Sequence, residues 1–254
     1  MAVRRVSEPE REPEAEGVTP TKTKLMPTGI EGLDEIIGGL PDRSVIVLAG
    51  ESGSGADVFA QEILYRQAQA GSKVTYFTIE RPPADIREEM TLYGMNVIPL
   101  EKEGRWTFID AYTPRHEKST PRTGPLTVLR QELFARLSQS KEPQWSTVDT
   151  LSYLLLGYEV KDAVDIVEIL IRLTRQHGGI HFLLFNPLLH DNKATSILHH
   201  FADGVIEFRM RERTREIIRV MRIKKMRKTF YGVRVIPFSL TARGIMVETA
   251  MRIA

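Results

Sequence analysis

Cysteine is missing from all 254 residues, which excludes disulfide scaffolds, thiolate metal sites and cysteine nucleophiles in one step. The sequence also lacks a run of about 18 apolar residues, the minimum for a membrane-spanning helix. Residues 1–20 are polar and carry none of the apolar core of a secretory signal. A soluble protein of the cytoplasm, with no membrane insertion, is expected. Excess charge is scarce as well: 35 Lys and Arg against 33 Asp and Glu leave a net charge of +2. What is present, 42% hydrophobic and 27% charged residues, is ordinary globular composition, enough for a sizeable core.

The near-neutral total hides an asymmetry. Residues 207–234 hold eleven Lys or Arg and three acids, Glu207, Glu212 and Glu216, so this stretch is +8 and the remainder −6. Charge runs usually form a solvated face. A local field of this strength also suits a phosphate-bearing partner or an acidic neighbouring subunit.

Residues 1–22 are rich in Pro, Glu and Arg and poor in large apolar residues, which predicts a mobile tail. The remainder, 23–254, reads as one domain. Residues 44–49 (SVIVLA) and 74–79 (VTYFTI) are continuous apolar runs suited to strands buried on both faces. Between them Phe59, Ile63, Leu64 and Ala68 recur at helical spacing. Pro82 and Pro83 open a helix through Met90. Residues 106–111, 146–151 and 181–185 are further strands, and 126–137 is a helix. Val160, Ala163, Val164, Val167, Leu170 and Ile171 mark another helix, stopped by Gly178-Gly179. Beyond Ala202 the period becomes two, with strands at 205–210, 217–223, 233–238 and 245–247. Strand–helix units followed by a strand-rich end predict an α/β fold: a mainly parallel central sheet flanked by helices and extended by antiparallel C-terminal strands.

The stretch Gly50-Glu51-Ser52-Gly53-Ser54-Gly55-Ala56-Asp57 lies between a buried strand and a helix. Gly50-x-x-x-x-Gly55 matches the first half of a phosphate-binding loop, whose backbone N–H groups form a nest for phosphate oxygens. Its second half departs. Ala56 stands at the lysine position, and Asp57 stands where a hydroxyl would hold magnesium. A glycine loop without the lysine is weak evidence alone, and a plain tight turn is the default reading.

Its surroundings add to it. Thr28-Gly29-Ile30-Glu31-Gly32-Leu33-Asp34-Glu35-Ile36-Ile37-Gly38-Gly39-Leu40-Pro41, ahead of the strand and loop, resembles the entry of KaiC-like ATPases of the RecA superfamily. Thr78-Ile79-Glu80-Arg81-Pro82 falls where that family has a strand ending in two glutamates that activate water. Val148-Asp149-Thr150 is similar to the strand whose aspartate supports magnesium. Lys225-Met226-Arg227-Lys228-Thr229 resembles the Lys-x-Arg-Gly-Thr turn with which one subunit reaches its neighbour's nucleotide. The resemblance spans residues 25–248 and implies a RecA-like P-loop fold. It also implies a nucleotide site at Gly50–Asp57, Glu80 as the remaining catalytic glutamate, Asp149 as metal support, and Lys225 and Arg227 as trans-interface residues.

The departures set the functional expectation. Ala56 supplies no cation, Asp57 and Glu51 add carboxylates, Arg81 replaces the second glutamate, and Lys228 replaces the turn glycine. Two like charges about 4 Å apart oppose each other by up to ~4 kcal/mol at intermediate dielectric. Asp57 near a helix start, which carries about half a positive charge, is expected to supply the anion that a phosphate normally brings, capping the loop. Slow or absent hydrolysis follows.

Three readings remain open. The first is a catalytically degenerate, pseudo-ATPase scaffold or regulatory partner, assembling with itself or with an active KaiC-like paralogue and needing no cofactor. The second is a working ATPase that uses ATP and magnesium through an unorthodox loop, a neighbour's Arg227 standing in for the lysine. The third is a recombination-type accessory that binds nucleic acid through residues 207–234, where Phe230 and Tyr231 lie among cations. His190-Asp191 and His199-His200 lack the spacing of a zinc site and read as surface or core histidines.

Overall fold

A computed structural model describes residues 23–113, 124–137, 142–213, 216–232 and 234–248. The tail expected at 1–22 lies outside the described residues. The strands are β1 Leu25–Met26, β2 Leu40–Pro41, β3 Ser44–Gly50, β4 Lys73–Thr78, β5 Trp106–Asp110, β6 Gln144–Asp149, β7 Ile180–Phe185, β8 Gly204–Arg213, β9 Glu216–Met226, β10 Ile236–Thr241 and β11 Gly244–Val247. The helices are α1 Leu33–Ile37, α2 Ala56–Gln69, α3 Pro83–Leu92, α4 Ile98–Lys102, α5 Pro125–Glu132, α6 Leu151–Gly157, α7 Val160–His177 and α8 Asn192–Phe201.

Nine strands form one sheet in the order β11-β10-β9-β8-β3-β7-β6-β4-β5, and β1 pairs with β2 separately. From β8 to β5 all neighbours are parallel; β8-β9, β9-β10 and β10-β11 are antiparallel. This is the predicted α/β arrangement. The apolar run at 44–49 becomes β3, the central strand, flanked by β7 and β8. Its alternating side chains enter two cores: Ile46 and Leu48 pack with α2, while Val45, Val47 and Ala49 pack with α7. Burial on both faces explains why neither polar residues nor a period of two interrupt the run.

Three elements differ from expectation. The strand expected at 146–151 ends at Asp149, because Leu151 and Leu154 bury at helical spacing and α6 begins there. The helix expected at 126–137 is α-helical only to Glu132 and continues as a π turn over Leu133–Leu137. Of the strand expected at 233–238, Val233 lies outside the described residues and β10 starts at Ile236. The helical stripe of α7 is as read, closed at its start by the reciprocal bonds of Glu159 and Asp162 and followed by Gly178 at φ 86°. At Gly179, with φ 90°, a Cβ would lie 1.9 Å from the Gln144 carbonyl oxygen, so only glycine permits β7 to approach β6 this closely.

Candidate functional site

The loop leaves the end of β3 at Gly50 and enters α2 through two left-handed glycines, Gly53 at φ 79° and Gly55 at φ 85°. A Cβ on Gly50 would lie 2.4 Å from Ser54 Oγ, so the turn also needs glycine there. Ser54 is buried, and its hydroxyl has no hydrogen-bond partner among the described residues. Glu51 turns toward β8, where its Oε1 accepts the Met210 N–H at 3.2 Å. Ala56 is buried in the first turn of α2.

Asp57 Oδ1 accepts the N–H of the adjacent Val58 at 2.9 Å, and the cap residue Gly55 receives no side-chain cap bond. The carboxylate thus meets the positive helix end as expected, but it satisfies one first-turn N–H and does not cap the loop. A cation that the sequence did not disclose comes from the far side: Arg219 of β9 donates from Nε to the Gly53 carbonyl at 2.9 Å. The β8–β9 pairing, with Arg219 beside Met210, carries it there.

Beside the loop opens a cleft of about 450 Å³, whose walls include Glu80, Arg81, Glu89 and Asp149. The register of β4 and β6 pairs Thr78 with Asp149, which sets the Glu80-Arg81 turn next to that carboxylate. Asp149 is buried; it accepts the Tyr76 hydroxyl at 2.8 Å and lies 3.5 Å from the Arg81 guanidinium. Its carboxyl is pushed up to about 6: burial raises it most, Arg81 and the Tyr76 hydroxyl pull it part of the way back, and Asp57 and Glu80 add smaller upward pushes. Tyr76, itself pushed up by burial, accepts Gln61 Nε2 at 3.4 Å, so a buried polar chain runs from α2 to Asp149. Burial opposes the charge on Arg81, yet Asp149 and Glu89 outweigh it and raise the guanidinium's pKa. Arg81 bonds Glu89 of α3 as well, a partner missed in the sequence because it depends on where α3 packs. Glu80 is exposed at the end of β4. The loop, Glu80 and Asp149 therefore meet in one cleft.

Lys225 and Arg227 do not join them. Met226 pairs with Gly204, which pairs with Ile46 near the start of β3, so both cations lie at the opposite end of the sheet from the loop. Lys225 Nζ donates to the carbonyls of His199, His200 and Ala202 at 2.6–2.8 Å, closing the C-terminus of α8. Arg227 donates to the His200 carbonyl at 3.0 Å and lies 4.0 Å from Asp203. Lys228 holds the turn with φ 65°, a left-handed backbone at the position where the related turn has glycine. Replacing Lys225 with Met should lower unfolding free energy by about 1 kcal/mol, the worth of a cation at a helix C-terminus. Urea melts under dilute conditions would detect it; no change would mean that Lys225 contributes only between chains.

His190 stacks on Phe185 with ring centroids 5.1 Å apart, Asp191 caps α8, and no cluster of three or more metal-ligating side chains occurs among the described residues.

A central parallel sheet with a glycine loop at the end of its middle strand, and acidic residues on the adjoining strand ends, defines a RecA-type P-loop α/β protein. The family model "ATPase: KaiC" matches residues 26–251, and the chain belongs to that family. A UPF0273 protein of Thermotoga maritima is 28% identical over 235 residues, 88% of this chain and 96% of its own length. One from Pyrococcus horikoshii is 28% identical over 233 residues, 89% of this chain and 94% of its own. The circadian clock protein KaiC3 of Synechocystis is 38% identical over 85 residues, 33% of this chain and 17% of its own. Among solved structures, the KaiC-like protein PH0186 of Pyrococcus horikoshii superposes with a TM-score of 0.75 at 25% identity, covering 89% of this chain and 99% of that one.

Proposed function

We propose that this KaiC-family chain is a cytoplasmic subunit that does not turn over nucleotide and serves as a scaffold or regulatory partner, beside copies of itself or an active KaiC-like paralogue. The observation that carries this reading is the position of Arg81. Its guanidinium lies in the cleft between Asp149 and Glu89, so the carboxylate that would support magnesium is already shared by a guanidinium and the Tyr76 hydroxyl.

The donor set does not fit a magnesium triphosphate. Among the described residues the cleft walls carry five carboxylates, Glu51, Asp57, Glu80, Glu89 and Asp149, and one guanidinium, Arg81. Ala56 offers no cation to a phosphate, and Asp57 lies in the first turn, where a phosphate would need the helix end. No hydrolytic step is assigned to Glu80. The separation of Lys225 and Arg227 from their own cleft is compatible with assembly, in which they would face a neighbour's cleft.

Titration with a fluorescent ATP analogue, with and without magnesium, tests the reading. The expected result is no saturation below about 1 mM, an affinity of roughly 4 kcal/mol or less. Magnesium-dependent binding in the micromolar range would overturn it in favour of an ATPase with an unorthodox loop.

A further inference from the structure

The basic hairpin has a face that the nucleotide cleft does not use. On β8 and β9, Glu207 pairs with Arg222, and two residues further along β8 Arg209 pairs with Val220; Glu207, Arg209 and Lys224 share a groove with Asn192, Thr195 and His199 of α8. Glu207 is buried and receives three cations at once: Arg209 at 3.3 Å, Arg222 at 2.6 Å and Lys224 at 2.8 Å. These cations hold the Glu207 carboxyl below the usual carboxylate range although burial pushes it up. One carboxylate cannot neutralise three cations, and the cationic side chains stay 57%, 39% and 46% exposed. Arg211 continues the row as an exposed residue one period further along β8. At the other end of β9 lies Lys228, followed by Phe230, whose ring is fully exposed.

A groove of about 500 Å³ runs between this row and α8, with Arg209 and Lys224 on one wall and Asn192, Thr195 and His199 on the other. Cations on alternate strand positions repeat about every 6.6 Å, a regular row of positive charge. The core of a protein–protein interface is depleted in charge and rich in apolar surface. This row is instead dense in charge, with Pro187, Leu188 and Met210 adding apolar surface to the groove beside it. Excess cations along the groove and an exposed aromatic ring beyond the end of β9 together match a chain of phosphates with stackable bases.

We infer that the β8–β9 face and the turn that follows β9 form a binding site for single-stranded nucleic acid, with Arg209, Arg211, Arg222, Lys224 and Lys228 on phosphates and Phe230 stacking on a base. The inference is independent of whether the cleft binds nucleotide. The test is fluorescence anisotropy of a labelled 20-nucleotide oligothymidylate with the full chain at 50–300 mM KCl. Log affinity should fall linearly with log salt, at a slope of about −0.7 for each phosphate contacted. The double variant Arg211→Gln/Lys224→Gln should flatten that slope by about 1.4, and Phe230→Ala should weaken binding about 5-fold or more.

Lys228→Gly guards against misfolding as an explanation. It removes a cation while giving the left-handed turn its favoured residue, so it should weaken binding with an unchanged or higher melting temperature. Absence of binding at 50 mM KCl would overturn the inference. So would binding that none of these variants alters. Variants that change sedimentation of the protein alone, without changing anisotropy, would reassign the face to a protein partner.

Discussion

Replacing Ala56 with lysine and Asp57 with threonine should raise the affinity for magnesium-ATP by about three orders of magnitude. Asp57 lies in the first turn of α2, on the wall of the cleft, where a phosphate would sit within several ångströms. Relief of like-charge repulsion at about 4 Å is worth up to ~4 kcal/mol at intermediate dielectric, and each 1.4 kcal/mol is about tenfold in binding. The added lysine turns the same region from repulsive to attractive. The glycine turns that form the nest, Gly53 and Gly55, are already left-handed and need no change. Turnover should not return with binding, because positioning phosphate and activating water are separate tasks. It should require Arg81→Glu as well, which frees Asp149 from the guanidinium and restores the second carboxylate beside Glu80. Calorimetric titration of the double and triple variants checks both steps. A double variant that binds no better than the parent would mean that the loop is closed by something other than charge. The nucleotide-free double variant should lose about 0.3–1 kcal/mol of stability, since Asp57 no longer faces the positive helix end.

What the sequence disclosed and what it withheld divide along one physical line. Residues 44–49 were legible as the central strand because burial on both faces leaves an unbroken apolar run, and that run is local information. The loop was legible because its glycines precede a helix, and Asp149 through the resemblance of Val148-Asp149-Thr150 to the family strand whose aspartate supports magnesium. The partners of Arg81 were not legible. Glu89 reaches it only through the packing of α3, and Asp149 only through the β4–β6 register. Arg219 meets Gly53 across 166 residues of chain, a contact fixed by the hairpin register rather than by any motif. The motif makes Lys225 an interface residue and says nothing of its bonds within the chain, to the carbonyls of His199, His200 and Ala202 at the C-terminal end of α8, a helix absent from the sequence pattern above. A signal for that helix was available: Asp191 ahead of residues 192–201 is a favoured N-cap, and it does accept the Ala194 N–H at 2.7 Å.

The stability of the native protein relative to its Asp149→Asn variant should fall by about 3 kcal/mol as pH rises from 4 to 7. The Asp149 carboxyl has an ordinary value of 3.8 and is pushed up to about 6 in the folded chain. Between those values the folded state holds a proton that the unfolded state has lost, so folding is favoured at the acid end. That contribution is fully present below about pH 4 and is lost as pH rises through 6; two pH units correspond to about 3 kcal/mol. The native protein alone would obscure the effect. Buried His181, depressed to about 3, works in the opposite sense, because the unfolded chain binds its proton first and stability falls with acid. Glu62, raised by burial, works in the same sense as Asp149. Both act equally in protein and variant and cancel in the difference, as does Glu207, whose carboxyl its neighbouring cations hold below the usual carboxylate range. Urea unfolding at half-unit pH intervals measures the difference directly, and a flat difference would mean that Asp149 stays ionised throughout. Arg81→Met should move the inflection upward from about 6, since the guanidinium is the strongest influence pulling Asp149 down. An upward move would identify Arg81 as the group that keeps this buried carboxylate charged near neutral pH, a task that a bound metal ion performs where the carboxylate is a metal support.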